Sequence, residues 1–301
     1  MSTRFLAVLN PVAGHGRCGK LAGPALERIR AAGIQFDVVA TSHAGHGTEL
    51  ARRAYEDGVR HFIAVGGDGT AFEIVNGLFP GAQSGERPTL AFLPLGTGNS
   101  FLSDFTSDQN LDFATQALTE GRSRPCDVLR LTHKEGVIFS INLVSMGFAA
   151  DAAMVANRKF KRLGHLGYLL GVFTCLVRLD RKAFPLRVDQ DQELDRRRCL
   201  FVAFSNSKFT GRTMMVAPRA DTSDGLIEYV HWGPIGRIGL LRNLRTLYDG
   251  SHLAHPLASR REARRIEFHL EAPVDVMVDG EVLTLCCETL EVLPSALNVM
   301  V

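Results

Sequence analysis

Three glycine-rich stretches hold the residues of this chain best suited to binding an anion. They are Asn10-Pro11-Val12-Ala13-Gly14-His15-Gly16-Arg17-Cys18-Gly19-Lys20, Gly66-Gly67-Asp68-Gly69-Thr70 and Gly96-Thr97-Gly98-Asn99-Ser100-Phe101. Glycine lets a backbone come close to a phosphate, and N–H groups left open at a helix start attract negative charge. The first stretch fits two spacings at once. Gly14, Gly16 and Gly19 satisfy GxGxxG, a dinucleotide-binding pattern. Gly14 to Lys20 satisfies GxxxxGK, except that Leu21 stands where a phosphate loop needs Ser or Thr for magnesium. The dinucleotide pattern also lacks a part, because the second strand ends in Thr41-Ser42 rather than in an acid for a ribose. Both spacings share a loop that cradles phosphate; the plain alternative is a glycine-rich turn. In the second stretch, a simple turn needs a single glycine. Asp68 beside a phosphate would meet it through a cation, since bare carboxylate and phosphate repel. As a plain helix N-cap, Asp68 would leave the glycines unexplained. The third stretch offers N–H groups and small hydroxyls, but alone it reads as a turn.

The three stretches need a frame that sets them side by side. Apolar runs over 5–9, 36–41, 61–65 and 89–93 read as strands, and 21–32, 47–57 and 70–78 as helices. Strands alternating with helices predict a parallel sheet covered on both faces, with ligands at the carboxyl ends of the strands. The texture changes near Gly121. Extended segments over 126–132, 137–143, 199–206, 213–217, 226–231, 264–270 and 274–278 follow, interrupted by helical stretches at about 148–179 and 236–248. The expected architecture is an α/β nucleotide-binding domain over 1–122. A mainly antiparallel, β-rich domain follows over 123–301, its last strand, near 290–293, a candidate to return to the first domain.

A chain of 301 residues is long enough for two domains, and a net charge of +2 argues against a dedicated nucleic-acid binder. The six cysteines (Cys18, Cys126, Cys175, Cys199, Cys286 and Cys287) form no CxxC pair and fit idle thiols in a reducing cytoplasm. The first strand is too short for a signal-peptide core. The longest nearly uncharged stretch, 163–177, is shorter than the ~20 residues a spanning helix needs. A cytoplasmic protein is expected, peripheral at the inner membrane surface. Arg158, Lys159, Lys161 and Arg162 precede that apolar stretch. They read either as a docking site for anionic lipid or as a solvated basic face beside a core helix.

The trio Asn10-Pro11…Gly14, Gly66-Gly67-Asp68-Gly69-Thr70 and Gly96-Thr97-Gly98-Asn99, in this order and near this spacing, resembles the diacylglycerol kinase catalytic domain. That superfamily includes bacterial lipid kinases and the diacylglycerol, sphingosine and ceramide kinases, and the similarity extends over nearly the whole chain. GGDGT by itself is shared with NAD kinases and echoed in phosphofructokinases; its combination with Asn-Pro and Gly-Thr-Gly-Asn is more specific. The resemblance implies an NAD kinase/diacylglycerol kinase-like fold and an ATP-dependent phosphotransferase acting on a lipid hydroxyl. It places ATP on Asn10, Pro11, Val12, Ala13, Gly14, Thr41, Gly66, Gly67, Asp68, Gly69, Thr70, Ala71, Phe72 and Thr97. A structural Mg2+ is implied at Asp221-Thr222-Ser223-Asp224-Gly225-Leu226, held by the carboxylates of Asp221 and Asp224 and the carbonyl of Leu226. Without the family, that segment reads as an Asp-Gly hairpin turn. The proton acceptor is implied in Asp279-Gly280-Glu281, at Glu281 with Asp279 close behind; a hairpin turn there is compatible with presenting a carboxylate. A homodimer is a further family-level expectation. The rivals are an NAD kinase-type enzyme using Asp68 as base, a dinucleotide-dependent oxidoreductase, and a nucleotide-sensing regulator with a degenerate site.

Overall fold

A computed structural model describes residues 4–79, 81–148, 150–151, 154–155, 174–176 and 179–301. The basic cluster at 158–162, and the apolar run after it apart from 174–176, lie outside the described residues. Contacts divide the chain into two units. The first is Met1–Val128 with Thr222–Gly225 and Leu293–Val301, and the second is Leu129–Asp221 with Leu226–Val292.

The first unit follows the strand–helix alternation of its sequence: β1 (Arg4–Leu9), α1 (Arg17–Ala31), β2 (Gln35–Ala40), α2 (His46–Glu56), β3 (His61–Gly66), α3 (Asp68–Leu78) and β4 (Thr89–Pro94). β1 lies between β2 and β3, β4 flanks β3, and all these pairings are parallel. The strand order 2-1-3-4 makes the chain leave β1 in one direction and return on its other side. β1 and β3 therefore border a topological switch point, where loops at the carboxyl ends of strands splay apart and leave a crevice. β3 and β4 are apolar almost throughout because both faces are covered. On one face, Ala7, Ile63, Val65, Ala91 and Leu93 pack with Cys18, Ala22 and Ile29 of α1 and with Ala114 and Leu118 of a helix at Leu111–Thr119. α2 and α3 pack on each other and contact β1 and β3. They approach closely at Gly77, where a Cβ would fall 2.8 Å from the Cβ of Ala51. Helix Leu111–Thr119 is absent from the expected elements. It is short, and its clearest signal is a cap, with Asn110 Oδ1 accepting from Phe113 N at 2.9 Å.

The second unit contains a six-stranded sheet, ordered β13 (Ala258–Ala263), β12 (Ile227–Trp232), β9 (Phe201–Ser205), β7 (Leu143–Gly147), β15 (Val274–Val278) and β16 (Glu281–Leu285). Every neighbouring pair is antiparallel. Outside this sheet, β5 (Ser123–His133) pairs antiparallel with β6 (Gly136–Ser140), and β14 (Arg265–Phe268) with β8 (Leu186–Val188). β10 (Phe209–Thr210) and β11 (Met214–Met215) form a short ribbon. One sheet face packs Phe201, Ala203, Val230 and Trp232 against Ile235, Leu240 and Leu247. From the other, Phe204 meets Phe268 edge-on at 5.4 Å. The antiparallel class is as expected, but several elements differ. The expected strand 137–143 is two strands, β6 and β7, separated at Ile141 and Asn142, whose amides turn to a side chain. The expected helix 236–248 is divided into Arg237–Asn243 and Thr246–Asp249. β17 (Cys287–Met300) is far longer than the expected 290–293. Its first part pairs with β14, and Asn298 to Met300 lie parallel to β4 in the first unit. Among the described residues no helix is long and apolar enough to cross a membrane.

Candidate active site

In the first unit the three glycine stretches form loops at the carboxyl ends of β1, β3 and β4. The first is tied down at Asn10, whose N–H donates to Val65 O at 3.0 Å while its Oδ1 accepts from Val12 N at 3.2 Å. The chain then turns through Gly14, His15 and Gly16, all with positive φ. The N–H groups of Gly16, Arg17, Cys18 and Gly19 return to carbonyls of the same loop. The glycine-lysine end therefore serves packing: a Cβ at Gly19 would meet Pro11 O at 3.0 Å. Among the described residues, the N–H groups of Gly14 and His15 have no protein acceptor.

The second and third loops lie backbone against backbone. Gly96 N donates to Gly66 O at 2.8 Å, and a Cβ at Gly96 would fall 2.5 Å from Gly67 Cα. A Cβ at Gly98 would fall 2.6 Å from Asp68 Oδ2. This supplies a packing reason for glycines that turn chemistry alone did not explain. The N-cap of α3 is Gly67, with no side-chain cap, so Asp68 is not the cap. Asp68 Oδ2 instead accepts from Ser100 N at 2.8 Å, and so holds the start of the 3-10 turn Phe101–Asp104 in the third loop. Burial pushes the Asp68 carboxyl above the usual range, while the amide and hydroxyl of Ser100 and the amide of Phe101 pull it back. Asp68 lines, with Gly67, Asn99 and Phe101, a pocket of about 10 Å³, room for one water. Among the described residues, the N–H groups of Gly67, Asp68, Gly69, Thr97 and Gly98 have no protein acceptor, and the buried Thr70 Oγ1 has no partner. Ala71 is buried and Phe72 half-buried in the first turn of α3, and Val12 and Thr97 are exposed. Donors without acceptors, in loops that bend around a switch point, are the chemistry a polyphosphate requires.

Glu73 was not foreseen. Its Oε1 accepts from Gly45 N and its Oε2 from Gly47 N, both at 2.8 Å, and its carbonyl accepts from Thr48 Oγ1 at 3.0 Å. A carboxylate thus already occupies the positive start of α2. It binds the segment that begins at Thr41, itself buried and bonded through its N–H to Leu9 O at 2.8 Å, to the helix that follows the second loop. The sequence signal was a lone acid inside α3, which by itself reads as a solvated helix residue.

The Asp279-Gly280 pair in the second unit is a two-residue hairpin between β15 and β16, with φ of 49° and 92°. Such a turn needs positive φ at both positions. The Asp279 side chain is buried, and its carboxylate accepts from Ser140 Oγ at 2.5 Å and from the N–H groups of Ile141, Asn142 and Leu143 at 3.0, 3.1 and 3.0 Å. Burial raises its pKa to about 6 against the pull of Ser140 and those amides. The acceptor sites of Asp279 are thus committed to the link between β6 and β7. Glu281, two residues on, is exposed.

Asp221 and Asp224 are exposed at the turn over Thr222–Gly225, with Gly225 at φ 72°. Carboxylates and a backbone carbonyl are oxygen donors, the type that suits a hard cation such as Mg2+. Among the described residues no group of three or more His, Cys, Asp or Glu side chains is gathered for a metal. The turn is anchored by Asp127, a fully buried residue that sequence reading missed. Its carboxylate accepts from Gly225 N and Ser295 N, both at 2.6 Å, and its N–H donates to Thr222 O at 2.6 Å.

Fold and site define a two-unit protein in which an α/β unit presents open backbone donors at a switch point and an antiparallel unit presents a carboxylate hairpin. Residues 4–131 match the family model for the diacylglycerol kinase catalytic domain, and residues 142–301 that for the YegS C-terminal NAD kinase beta sandwich-like domain. The chain belongs to the diacylglycerol kinase catalytic-domain superfamily. It is 27% identical over 300 residues to a diacylglycerol kinase of Mycobacterium tuberculosis, covering 99% of this chain and 94% of that one. To a diacylglycerol kinase of Staphylococcus aureus it is 28% identical over 289 residues, covering 93% and 87%. The crystal structure of a diacylglycerol kinase from Bacillus anthracis superposes with a TM-score of 0.69 at 20% identity, over 99% of this chain and 96% of that one, a likeness of fold.

Proposed function

We propose that this chain is an ATP-dependent lipid kinase that moves the γ-phosphoryl group of ATP onto a primary hydroxyl of a lipid such as diacylglycerol or a sphingoid lipid. One observation carries the reading: the N–H groups of Gly14, His15, Gly67, Asp68, Gly69, Thr97 and Gly98 have no acceptor among the described residues, and all lie on the loops at the carboxyl ends of β1, β3 and β4 or at the start of α3. Membership of a superfamily whose relatives are diacylglycerol kinases supports it.

In phosphoryl transfer most of the catalysis is positioning and charge neutralisation. The loop N–H groups and the Thr70 hydroxyl donate to phosphate oxygens, and Asp68 keeps the second and third loops in register. When bound, magnesium offsets phosphate charge; Asp221, Asp224 and the Leu226 carbonyl are the residues to hold a structural ion. The lipid oxygen forms a bond to the γ-phosphorus as the bond to the ADP oxygen breaks, and the hydroxyl proton passes to a carboxylate. Glu281 suits that role because it is exposed, whereas Asp279 is committed to four donors. General-base action contributes ~10²–10⁴-fold.

The test is transfer of labelled phosphate from ATP to a panel of diacylglycerol, sphingoid base, ceramide and monoacylglycerol, with NAD as a separate acceptor and Asp68→Ala and Glu281→Ala as controls. Labelled lipid, reduced in both variants, is expected. Label on NAD and none on any lipid would overturn the reading in favour of an NAD kinase.

A further inference from the structure

The segment Arg237–Asn243 and the short helix Thr246–Asp249 form nearly one element. The linking residues Leu244 and Arg245 keep right-handed helical angles, at φ −58°, ψ −36° and φ −64°, ψ −30°. Leu240 and Leu247, two turns apart, face inward and pack with Trp232 and Val230. The opposite side should therefore be polar. It is not. Ile238, Leu241, Leu244 and Tyr248 are 67%, 58%, 43% and 50% exposed, and Leu257 nearby in sequence is 45% exposed. The remaining exposed large apolar side chains of the described residues are scattered over the chain, at Val12, Leu21, Val38 and Val137. An apolar concentration of this kind on a folded surface marks a contact site.

The charge along it is mainly basic, with one acid, the exposed Asp249, at its C-terminal end. Positions 237 to 248 include Arg237, Arg242 and Arg245 and no acid. Neither Arg242 nor Arg245 has a carboxylate partner among the described residues. Leucine, isoleucine and tyrosine beside Arg242 and Arg245 on one helical face is the composition of an element that lies in the plane of a membrane, with its apolar side chains among the acyl chains and its cations at anionic headgroups. Self-association through this face would bring arginine towards arginine across a two-fold axis, which a protein partner of the same sequence cannot compensate.

We propose that the outer face of 237–248 in the second unit is a docking surface for an anionic lipid bilayer. The proposal goes beyond the phosphotransfer reading, and its test measures no transfer, so the two fail separately. Co-sedimentation of the full chain with vesicles of phosphatidylglycerol and phosphatidylcholine in equal parts is compared with pure phosphatidylcholine vesicles. The wild type binds the anionic vesicles, and binding weakens as salt is raised. Ile238→Asn with Leu241→Asn lowers the partition coefficient by at least ~10-fold, since each removes a large buried apolar side chain from the membrane. Arg242→Glu with Arg245→Glu lowers it on anionic vesicles by ~10-fold or more and has little effect on neutral ones. All these positions are exposed, so the melting temperature should hold, and it is recorded for each variant. Wild-type protein that stays in the supernatant, variants that sediment like the wild type, or a variant that turns a dimer into a monomer would each overturn the proposal, the last by showing that a second copy covers the face.

Discussion

Asp68 and Ser100 belong to different loops, and a hydrogen bond of 2.8 Å from the Ser100 N–H to Asp68 Oδ2 joins them. The carboxylate acts as a strut between the turn after β3 and the turn after β4. Asp68→Ala leaves the Ser100 amide without its acceptor, at a cost of about 1–3 kcal/mol. The expected outcome is a lower unfolding midpoint in urea and ATP affinity weakened by at least ~10-fold in calorimetry. Asp68→Asn keeps one acceptor oxygen and should fall between. Wild-type stability and affinity in the alanine variant would remove the strut.

Glu73→Gln tests the clamp on the start of α2. The two Glu73 oxygens each accept from a backbone N–H. An amide has one acceptor oxygen and would turn its NH2 towards a second donor. A loss of about 1–3 kcal/mol is expected. The KM for ATP should rise more than kcat falls, because the change loosens the segment carrying Thr41. An unchanged KM with unchanged thermal stability would argue that the clamp holds nothing of consequence.

Gly96→Ala places a methyl group 2.5 Å from Gly67 Cα, a backbone atom that cannot rotate away. Overpacking of this kind costs about 1–3 kcal/mol. The second and third loops should separate, and nucleotide protection against thermal unfolding should be lost. Gly16→Ala is a useful comparison, because a Cβ there meets nothing within 4 Å and any cost arises from its φ of 84°.

Asp279 and Glu281 should separate cleanly. Glu281→Gln is expected to lower kcat by ~10²–10⁴-fold with little change in stability. Asp279→Ala strips the acceptor from Ser140 and three amides and should destabilise the fold by about 3 kcal/mol or more. A stable, inactive Asp279 variant beside an active Glu281→Gln would exchange their roles.

The pKa of Asp279 also sets a pH dependence. Its folded value of about 6 lies above its ordinary 3.8, so the folded state holds this proton more tightly than the unfolded chain does. Its contribution to stability is therefore most favourable below about pH 4. It declines as pH rises towards 6, by about 3 kcal/mol at 1.36 kcal/mol per pKa unit. Urea unfolding between pH 4 and pH 7 should show wild type losing this amount relative to Asp279→Asn. A difference between the two that stays flat across the window would reject the assignment.

The sequence by itself determined the α/β unit nearly element by element, because strand and helix there alternate in strongly apolar, short-period segments. The glycine loops were equally visible, since a positive φ or an open backbone donor demands a residue type that can be read directly. The Asp-Gly hairpin at 279–280 was legible for the same reason. Tertiary structure decided the rest. It showed that Gly96 is needed for contact with Gly67, that Asp68 serves the third loop rather than its own helix, and that Asp279 is committed to Ser140 while Glu281 is exposed. Glu73 and Asp127 were illegible because their partners lie as far as 28 and 168 positions away. An acid's type says that it wants donors, but only the packing of strands and loops decides which amides reach it.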